Sequence, residues 1–165
     1  MTQSTGLIYG LVVASALIAA TPALTNEGAA HHHSKVEAAA VGKPGDAKNV
    51  DRTVTIIATE IKYDIEKITV KAGETVRFVL INKGEQPHEL SIGSADEMAE
   101  HRQMMVDMAG MDMSEMHHEE GNSVSTEPDE TKELIWQFGM AGSYEFSCNY
   151  PGHSESGMMG LLVVK

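Results

Sequence analysis

The sequence has a single cysteine, Cys148, so a disulfide within one chain is excluded and the fold must depend on its core. Aromatic side chains are scarce, with three Phe, four Tyr and one Trp. Basic residues number 12 against 24 acidic ones, and the formal net charge of -12 argues against nucleic acid or anionic lipid as a partner. Cations and basic protein surfaces fit that charge better. The length of 165 residues suits one ordinary domain and argues against a multidomain enzyme.

Long hydrophobic runs are also missing. The longest, Leu7 to Ala20, has 14 residues, which is too short to span a bilayer comfortably and typical of the centre of an export signal. Small residues follow, so we expect a signal peptide over residues 1–23, with cleavage after Ala30 as the alternative. No Lys or Arg precedes Leu7, although signal peptides usually start with a positive charge. An uncleaved membrane anchor is therefore a second alternative. Export predicts a periplasmic protein with no stable membrane span after cleavage.

Residues 24–50 are rich in Ala, Gly, Lys and Glu without a sustained apolar period, and we expect them to form a flexible tail. Three consecutive histidines, His31 to His33, lie within it. They are either part of a solvated polar stretch or a loose metal-collecting segment.

From residue 51 onward the chain reads as one β domain, 51–165. Short runs rich in β-branched and aromatic residues alternate with turn residues, and no helical pattern separates most of them. This texture predicts an all-β fold, an antiparallel sandwich. The predicted strands are 53–61, 68–70, 75–82, 88–93, 133–138, 143–148 and 160–165.

An insertion at about 95–130 interrupts this pattern. Its first part is built from strong helix formers, and we expect a helix at least to Ala109. Ser94 caps the start in this prediction, with Glu97 at the capping-box spacing. Residues 121–130 read as a loop.

The insertion is rich in Met and His, and two interpretations stay open. Met104, Met108 and Met111 recur at helical spacing and would cover the sandwich with an apolar stripe. Alternatively, the segment holds additional copper, because thioethers prefer Cu(I) and imidazoles accept either oxidation state. The candidate donors are Met98, His101, Met105, Met108, Met111, Met113, Met116, His117 and His118.

The stretch CNYPGHSESGMMG, from Cys148 to Gly160, concentrates soft metal donors. Pro151 and Gly152 permit a sharp turn that lets Cys148 and His153 converge. Met158 supplies a thioether, with four residues between it and His153, and Met159 is its rival. A lone Cys is usually a buried apolar residue, but the joint spacing argues against that interpretation.

Cys, His and a weak Met form a blue-copper site when a second His joins them. His88 is the candidate for that second imidazole, because it follows Pro87 just after the strongest predicted strand. The predicted metal ligands are therefore His88, Cys148, His153 and Met158.

The run from Tyr144 to Gly160 resembles the ligand loop of the cupredoxins, the plastocyanin and azurin family of electron-transfer copper proteins. The Cys-to-His spacing in CNYPGH is similar to that of azurin. The His-to-Met spacing in HSESGM is similar to that of plastocyanin and of the type 1 domain of copper nitrite reductase. PHEL at 87–90 resembles the Pro-His motif that carries the first imidazole ligand in plastocyanin. The resemblance covers roughly residues 50–165 apart from the insertion. It implies a Greek-key β-sandwich with a type 1 copper site. In many cupredoxins an Asn follows the first His, whereas Glu89 stands here.

With the export signal and the Met/His-rich segments, the chain resembles the small periplasmic cupredoxins of copper-tolerance operons. We expect a copper protein that supports copper tolerance by sequestration or delivery and by one-electron transfer, with copper ions and a redox or copper-transfer protein as partners. The alternatives are a metal-storage module without a redox role and an accessory electron donor to a copper or haem reductase. We expect no enzyme, because Ser147 and Asn149 flank Cys148 where multicopper oxidases have His, and no oxyanion-hole context for a cysteine hydrolase is visible.

Overall fold

The computed structural model describes residue 1 and residues 40–108 and 121–165 of the chain. Its described part forms two five-stranded sheets that face each other, which confirms the predicted all-β sandwich. One helix, α1, follows strand β6. The elements are β1 Gly42–Pro44, β2 Arg52–Thr59, β3 Lys62–Tyr63, β4 Lys67–Val70, β5 Thr75–Asn82, β6 His88–Gly93, α1 Ala95–Asp107, β7 Ser123–Thr126, β8 Thr131–Phe138, β9 Gly142–Ser147 and β10 Met159–Val164.

The first sheet has the strand order β1-β8-β5-β2-β3, and the second has the order β4-β10-β9-β6-β7. Strands β2 and β5 pair in parallel, and so do β4 and β10, whereas the other neighbours are antiparallel. The expectation of a purely antiparallel sandwich is therefore wrong for these two pairs. The chain crosses to the second sheet at β4 and returns at β5, so β5 joins β2 in the same direction.

The core lies between the sheets and follows from the alternation of apolar residues along each strand. In β5, Val76, Phe78 and Leu80 are buried, while the residues between them are partly exposed. The Phe78 ring meets Phe138 of β8 nearly edge to face, with centroids 6.1 Å apart. Each large apolar side chain buried in this way stabilises the fold by about 1.5–3 kcal/mol.

All seven predicted strands are present within two residues of their predicted ends, and three short strands were not predicted. Strand β1 pairs with β8, β3 with β2, and β7 with β6. These strands are two to four residues long and mostly polar, so their own composition gave no clear pattern. Residues 121–130, predicted as a loop, therefore contain β7.

The structure also corrects part of the tail prediction. Within residues 24–50, the structure describes 40–50, and there Gly42–Pro44 forms an edge strand and Ala47–Asn49 a 3-10 turn capped by Asp46. Val41 is buried in the core, which fixes this segment on the first sheet. The remainder of the tail, with His31 to His33, and the proposed signal peptide lie outside the described residues.

Helix α1 begins as predicted, with Ser94 and Glu97 forming a capping box. The helix ends at Asp107, short of the predicted Ala109, which lies outside the described residues together with Met111, Met113, Met116, His117 and His118. The buried face is formed by Met98 and Met105, whereas Met104 is 36% exposed. Of the two open interpretations, the apolar stripe is therefore not supported at Met104, because a side chain one residue away from the buried Met105 points about 100° away from it.

In the described part of the chain, no helix is both long enough and apolar enough to cross a membrane.

Candidate metal centre

The four predicted ligands come from two chain segments at one end of the second sheet, the start of β6 and the loop between β9 and β10. His88 opens β6, Cys148 directly follows β9, and Met158 directly precedes β10. Strands β6 and β9 are antiparallel neighbours, so the start of one lies beside the end of the other. This pairing brings the first imidazole to the thiol, and the backbone N–H of Glu89 donates to Cys148 Sγ at 3.3 Å.

The loop between β9 and β10 folds back so that both of its ends lie beside Cys148. The Cys148 N–H donates to the Met158 carbonyl and the Met158 N–H to the His153 carbonyl, both at 3.0 Å. Gly152 and Gly157 turn the chain with φ of +86° and +98°, a backbone region that glycine enters without strain. The expectation of a sharp turn between Cys148 and His153 is met.

The structure brings the predicted ligands together. One ligand atom each from His88, Cys148 and His153 lies within 4.8 Å of the other two. Cys148 Sγ is 3.3 Å from His153 Nδ1, and the two imidazole centroids are 5.2 Å apart. Met158 is fully buried close to them, whereas Met159 is 40% exposed on β10. Donors that each lie about 2 Å from one ion fall within this spacing of one another.

His88 provides the test of whether a metal fits here. Its side chain is completely buried, yet within the described part of the chain neither Nδ1 nor Nε2 has a hydrogen-bond partner. Buried polar groups are almost always satisfied, because an unsatisfied one costs roughly 1–3 kcal/mol. An imidazole nitrogen that faces a thiol and a second imidazole is satisfied by a metal ion, so the residues present fit a copper site.

The electrostatics of the histidines also suit a metal. Burial lowers the pKa of His88 below 6.5, the nearby His153 lowers it further, and Glu60 opposes both. Burial likewise lowers the pKa of His153, with Glu155 opposing. Both imidazoles are therefore neutral at physiological pH, as ligands must be.

The pKa of the Cys148 thiol is shifted in the opposite direction. Burial raises its pKa to about 12, although N–H groups of Glu89 and Tyr150 oppose this by hydrogen-bonding to the sulfur. The metal-free protein thus holds a protonated thiol. A bound cation must displace that proton, because the thiolate is the ligand form.

Two asparagines shape the segments around the ligands. Asn82 closes the loop before His88: its amide donates to the Gln86 carbonyl at 2.8 Å, and its oxygen accepts from the Gly84 N–H at 2.9 Å. Asn149 donates from its side chain to Glu89 at 3.1 Å.

Other residues of the site were not predicted from the sequence. Tyr63 on β3 donates its hydroxyl to the Glu89 carbonyl, and the Tyr150 ring lies 5.9 Å from that of His153. His101 was considered only as a copper donor, whereas it contacts the Glu89 carboxylate. None of these contacts has a signature in the sequence, because each depends on how distant segments pack.

A two-sheet sandwich that places two histidines, one cysteine and one methionine together at one end defines a type 1 copper domain. The family model of copper-binding proteins of the plastocyanin/azurin family matches residues 50–165. The chain belongs to this family, and it binds copper.

Known relatives and solved structures agree with the family. The chain is 37% identical over 162 residues to the copper-resistant cuproprotein CopI of Pseudomonas aeruginosa, covering 84% of this chain and 90% of that protein. It is 37% identical over 164 residues to CopI of Rubrivivax gelatinosus, covering 94% of each. The crystal structure of dithionite-reduced auracyanin from Roseiflexus castenholzii is similar with a TM-score of 0.59 and 25% identity, covering 70% of this chain and 98% of auracyanin.

Proposed function

We propose that His88, Cys148, His153 and Met158 would hold one copper ion as a type 1 site, with Met158 as the weakest donor. The observation that carries the proposal is the buried cluster of three ligand atoms within 4.8 Å, in which the ring nitrogens of His88 have no hydrogen-bond partner among residues 40–108 and 121–165. The burial of Met158 and the 40% exposure of Met159 favour Met158 as the fourth ligand.

The protein's part is to keep these donors in place before the metal arrives. The loop hydrogen bonds from Cys148 to Met158 and from Met158 to His153 fix three of them relative to one another. When bound, copper supplies a one-electron Cu(II)/Cu(I) couple at this site. His153 is 8% exposed and the other three ligands are fully buried, so His153 is the route for electrons between the site and a partner.

A copper titration of the full chain tests the ligands. We expect Cu(II) to give an intense visible band that saturates at one equivalent, because a thiolate ligand produces strong charge transfer. Cys148→Ala removes the band, and Met158→Leu shifts it. Met159→Leu is the matched control and leaves the band unchanged. A wild-type protein without the band, or a Cys148→Ala protein that retains it, would refute the proposed site.

We further propose that the protein acts in the periplasm, supports copper tolerance by holding or delivering copper, and exchanges single electrons with a partner. Relatives named copper-resistant cuproproteins and the apolar run at Leu7 to Ala20 support this. Expression in a copper-sensitive bacterium is expected to raise the tolerated copper concentration. The same chain with Cys148→Ala, or without residues 1–23, is expected to give no gain. Equal protection by the Cys148→Ala chain would contradict the role of the site.

We propose no catalytic activity for the chain, because Ser147 and Asn149 occupy the two positions beside Cys148 that are His in multicopper oxidases. Oxygen uptake by the copper-loaded protein with Cu(I) as substrate measures this directly. We expect uptake no faster than with free copper, and steady turnover would contradict the assignment.

A further inference from the structure

We propose that helix α1 carries a positioning residue of the copper centre, His101, which acts on the ligand loop through the buried carboxylate of Glu89. The inference rests on the copper ligands proposed above. It makes the first helix of the insertion part of the metal centre.

Glu89 is the link because it is a completely buried carboxylate next to a ligand. Its Oε2 accepts from the Asn149 backbone N–H at 3.3 Å and from the Asn149 side-chain amide at 3.1 Å. Both carboxylate oxygens lie 3.2 Å from His101 Nε2. A carboxylate buried without such partners would cost several kcal/mol, so the position of Glu89 depends on both residues.

The contacts of Glu89 lead directly to the thiol. Its own N–H donates to Cys148 Sγ at 3.3 Å, and the residue it holds, Asn149, follows Cys148 in the chain. On the other side, the Ser147 hydroxyl donates to the Asn149 side-chain oxygen at 2.9 Å. A displacement of the Glu89 side chain therefore moves the backbone on which the sulfur ligand sits.

His101 has a defined position because α1 is fixed on the second sheet. Met98 and Met105, on the same face of the helix, are buried, and the Ser94 capping box fixes the helix start. One residue beyond His101, Arg102 Nη1 donates to Glu145 Oε1 on β9 at 2.6 Å. The Arg102–Glu145 pair thus also fixes the helix on the sheet, through β9 rather than through Glu89. A variant of Glu145 is therefore a matched control.

The Glu89–His101 pair also sets the charge beside the metal. A buried carboxylate near copper favours Cu(II) over Cu(I), and a donor on that carboxylate reduces its effect. Loss of the His101 donor is therefore expected to lower the reduction potential. Glu89→Gln removes the negative charge and is expected to raise it.

The test compares His101→Leu, His101→Gln, Glu89→Gln, the double variant His101→Leu/Glu89→Gln and the control Glu145→Gln in the full chain. The visible spectrum and the reduction potential are measured after loading with Cu(II). We expect His101→Leu to shift the visible band and lower the reduction potential. His101→Gln keeps a hydrogen-bond donor, so its band and potential are expected to lie close to the wild-type values. Glu145→Gln weakens the fixation of the helix but leaves the band and the potential at wild-type values. In the Glu89→Gln background, His101→Leu has no further effect.

A His101→Leu protein with the wild-type band and potential would overturn the proposal, and so would equal shifts in His101→Leu and Glu145→Gln. The metal-free protein gives an independent readout. Its amide NMR signals for Glu89 and the Asn149 side chain are expected to shift in His101→Leu and not in Glu145→Gln, and signals that stay unshifted in His101→Leu contradict the proposal. If the wild-type protein shows no thiolate band, the proposed ligands fail, while these signals still decide whether His101 reaches the ligand loop.

Discussion

Cys148 combines complete burial with hydrogen bonds from two backbone N–H groups to its sulfur, and these features act in opposite directions on the thiol pKa. Burial raises the thiol pKa to about 12, while the N–H donors lower it by a smaller amount. The net effect keeps the metal-free thiol protonated and protects it from oxidation, since the thiolate is the reactive form. Copper reverses this state because the bound cation stabilises the thiolate.

We therefore expect Cys148 of the folded, metal-free protein to react very slowly with iodoacetamide at pH 8. A pKa higher by about three units lowers the thiolate fraction on the order of 1,000-fold. The alkylation rate is measured by mass spectrometry in buffer and in concentrated urea. Equal rates in the two solutions would show that the fold does not shield the thiol.

The two ligand histidines make the metal-free fold sensitive to acid. Burial lowers the pKa of His88 and His153 below 6.5, so the unfolded chain takes up protons before the folded chain does. The contribution of these two histidines to the free energy of unfolding is therefore complete above about pH 6.5, and it is lost as the pH falls below that value. Glu60, Glu130 and Glu155, whose pKa values are lowered by hydrogen bonds, add a second loss below pH 4.5.

Urea unfolding of the metal-free protein at several pH values between 5 and 8 measures this dependence. We expect the unfolding midpoint to decrease from pH 7.5 to pH 5 and the decrease to be smaller in His88→Asn. A midpoint that stays constant over this range would contradict the lowered histidine pKa values.

At the scale of elements, the ligands depend on the antiparallel neighbours β6, β9 and β10, whose ends lie beside the metal centre. Helix α1 covers this sheet through Met98, Met105 and the Arg102–Glu145 pair. Its start is fixed by Ser94, whose hydroxyl accepts from the Glu97 N–H at 3.2 Å while the Glu97 side chain accepts from the Ser94 N–H at 2.7 Å.

Replacing Ser94 by Ala removes one of these two hydrogen bonds. The loss of an N-cap hydroxyl costs about 1 kcal/mol, and we expect the free energy of unfolding to fall by that amount. Ser143→Ala, an exposed serine on β9, is the control and is expected to change stability by less than about 0.5 kcal/mol. Both values come from urea unfolding of the metal-free protein, and equal effects would mean that the capping box contributes little.

The whole molecule shows which features a sequence can predict. The main strands were predictable because their apolar residues alternate with the period of a sheet, as in β5. The short edge strands β1, β3 and β7 were not, because their pairing is decided by the neighbouring strands rather than by their own residues. The two parallel pairs follow from crossings between sheets, which local sequence patterns do not encode.

The metal centre likewise has residues that the sequence predicts and contacts that it does not. Cys148, His153 and Met158 lie in one loop with a characteristic spacing, so rare donor types and short distances along the chain pointed to them. The contact of His101 with Glu89 joins two segments only 12 residues apart, yet it depends on how α1 packs on the sheet. The sequence showed a carboxylate at an unusual position, and the structure supplies its partners.

The proposed metal centre holds one copper ion, bound by His88, Cys148, His153 and Met158. The most direct measurement is a crystal structure of the full chain loaded with one equivalent of Cu(II), with an anomalous difference map recorded at the copper absorption edge. We predict that the strongest peak lies within bonding distance of Cys148 Sγ and of one imidazole nitrogen each from His88 and His153, with the Met158 sulfur farther away. A strongest peak elsewhere in the chain, with none beside Cys148, would contradict the account.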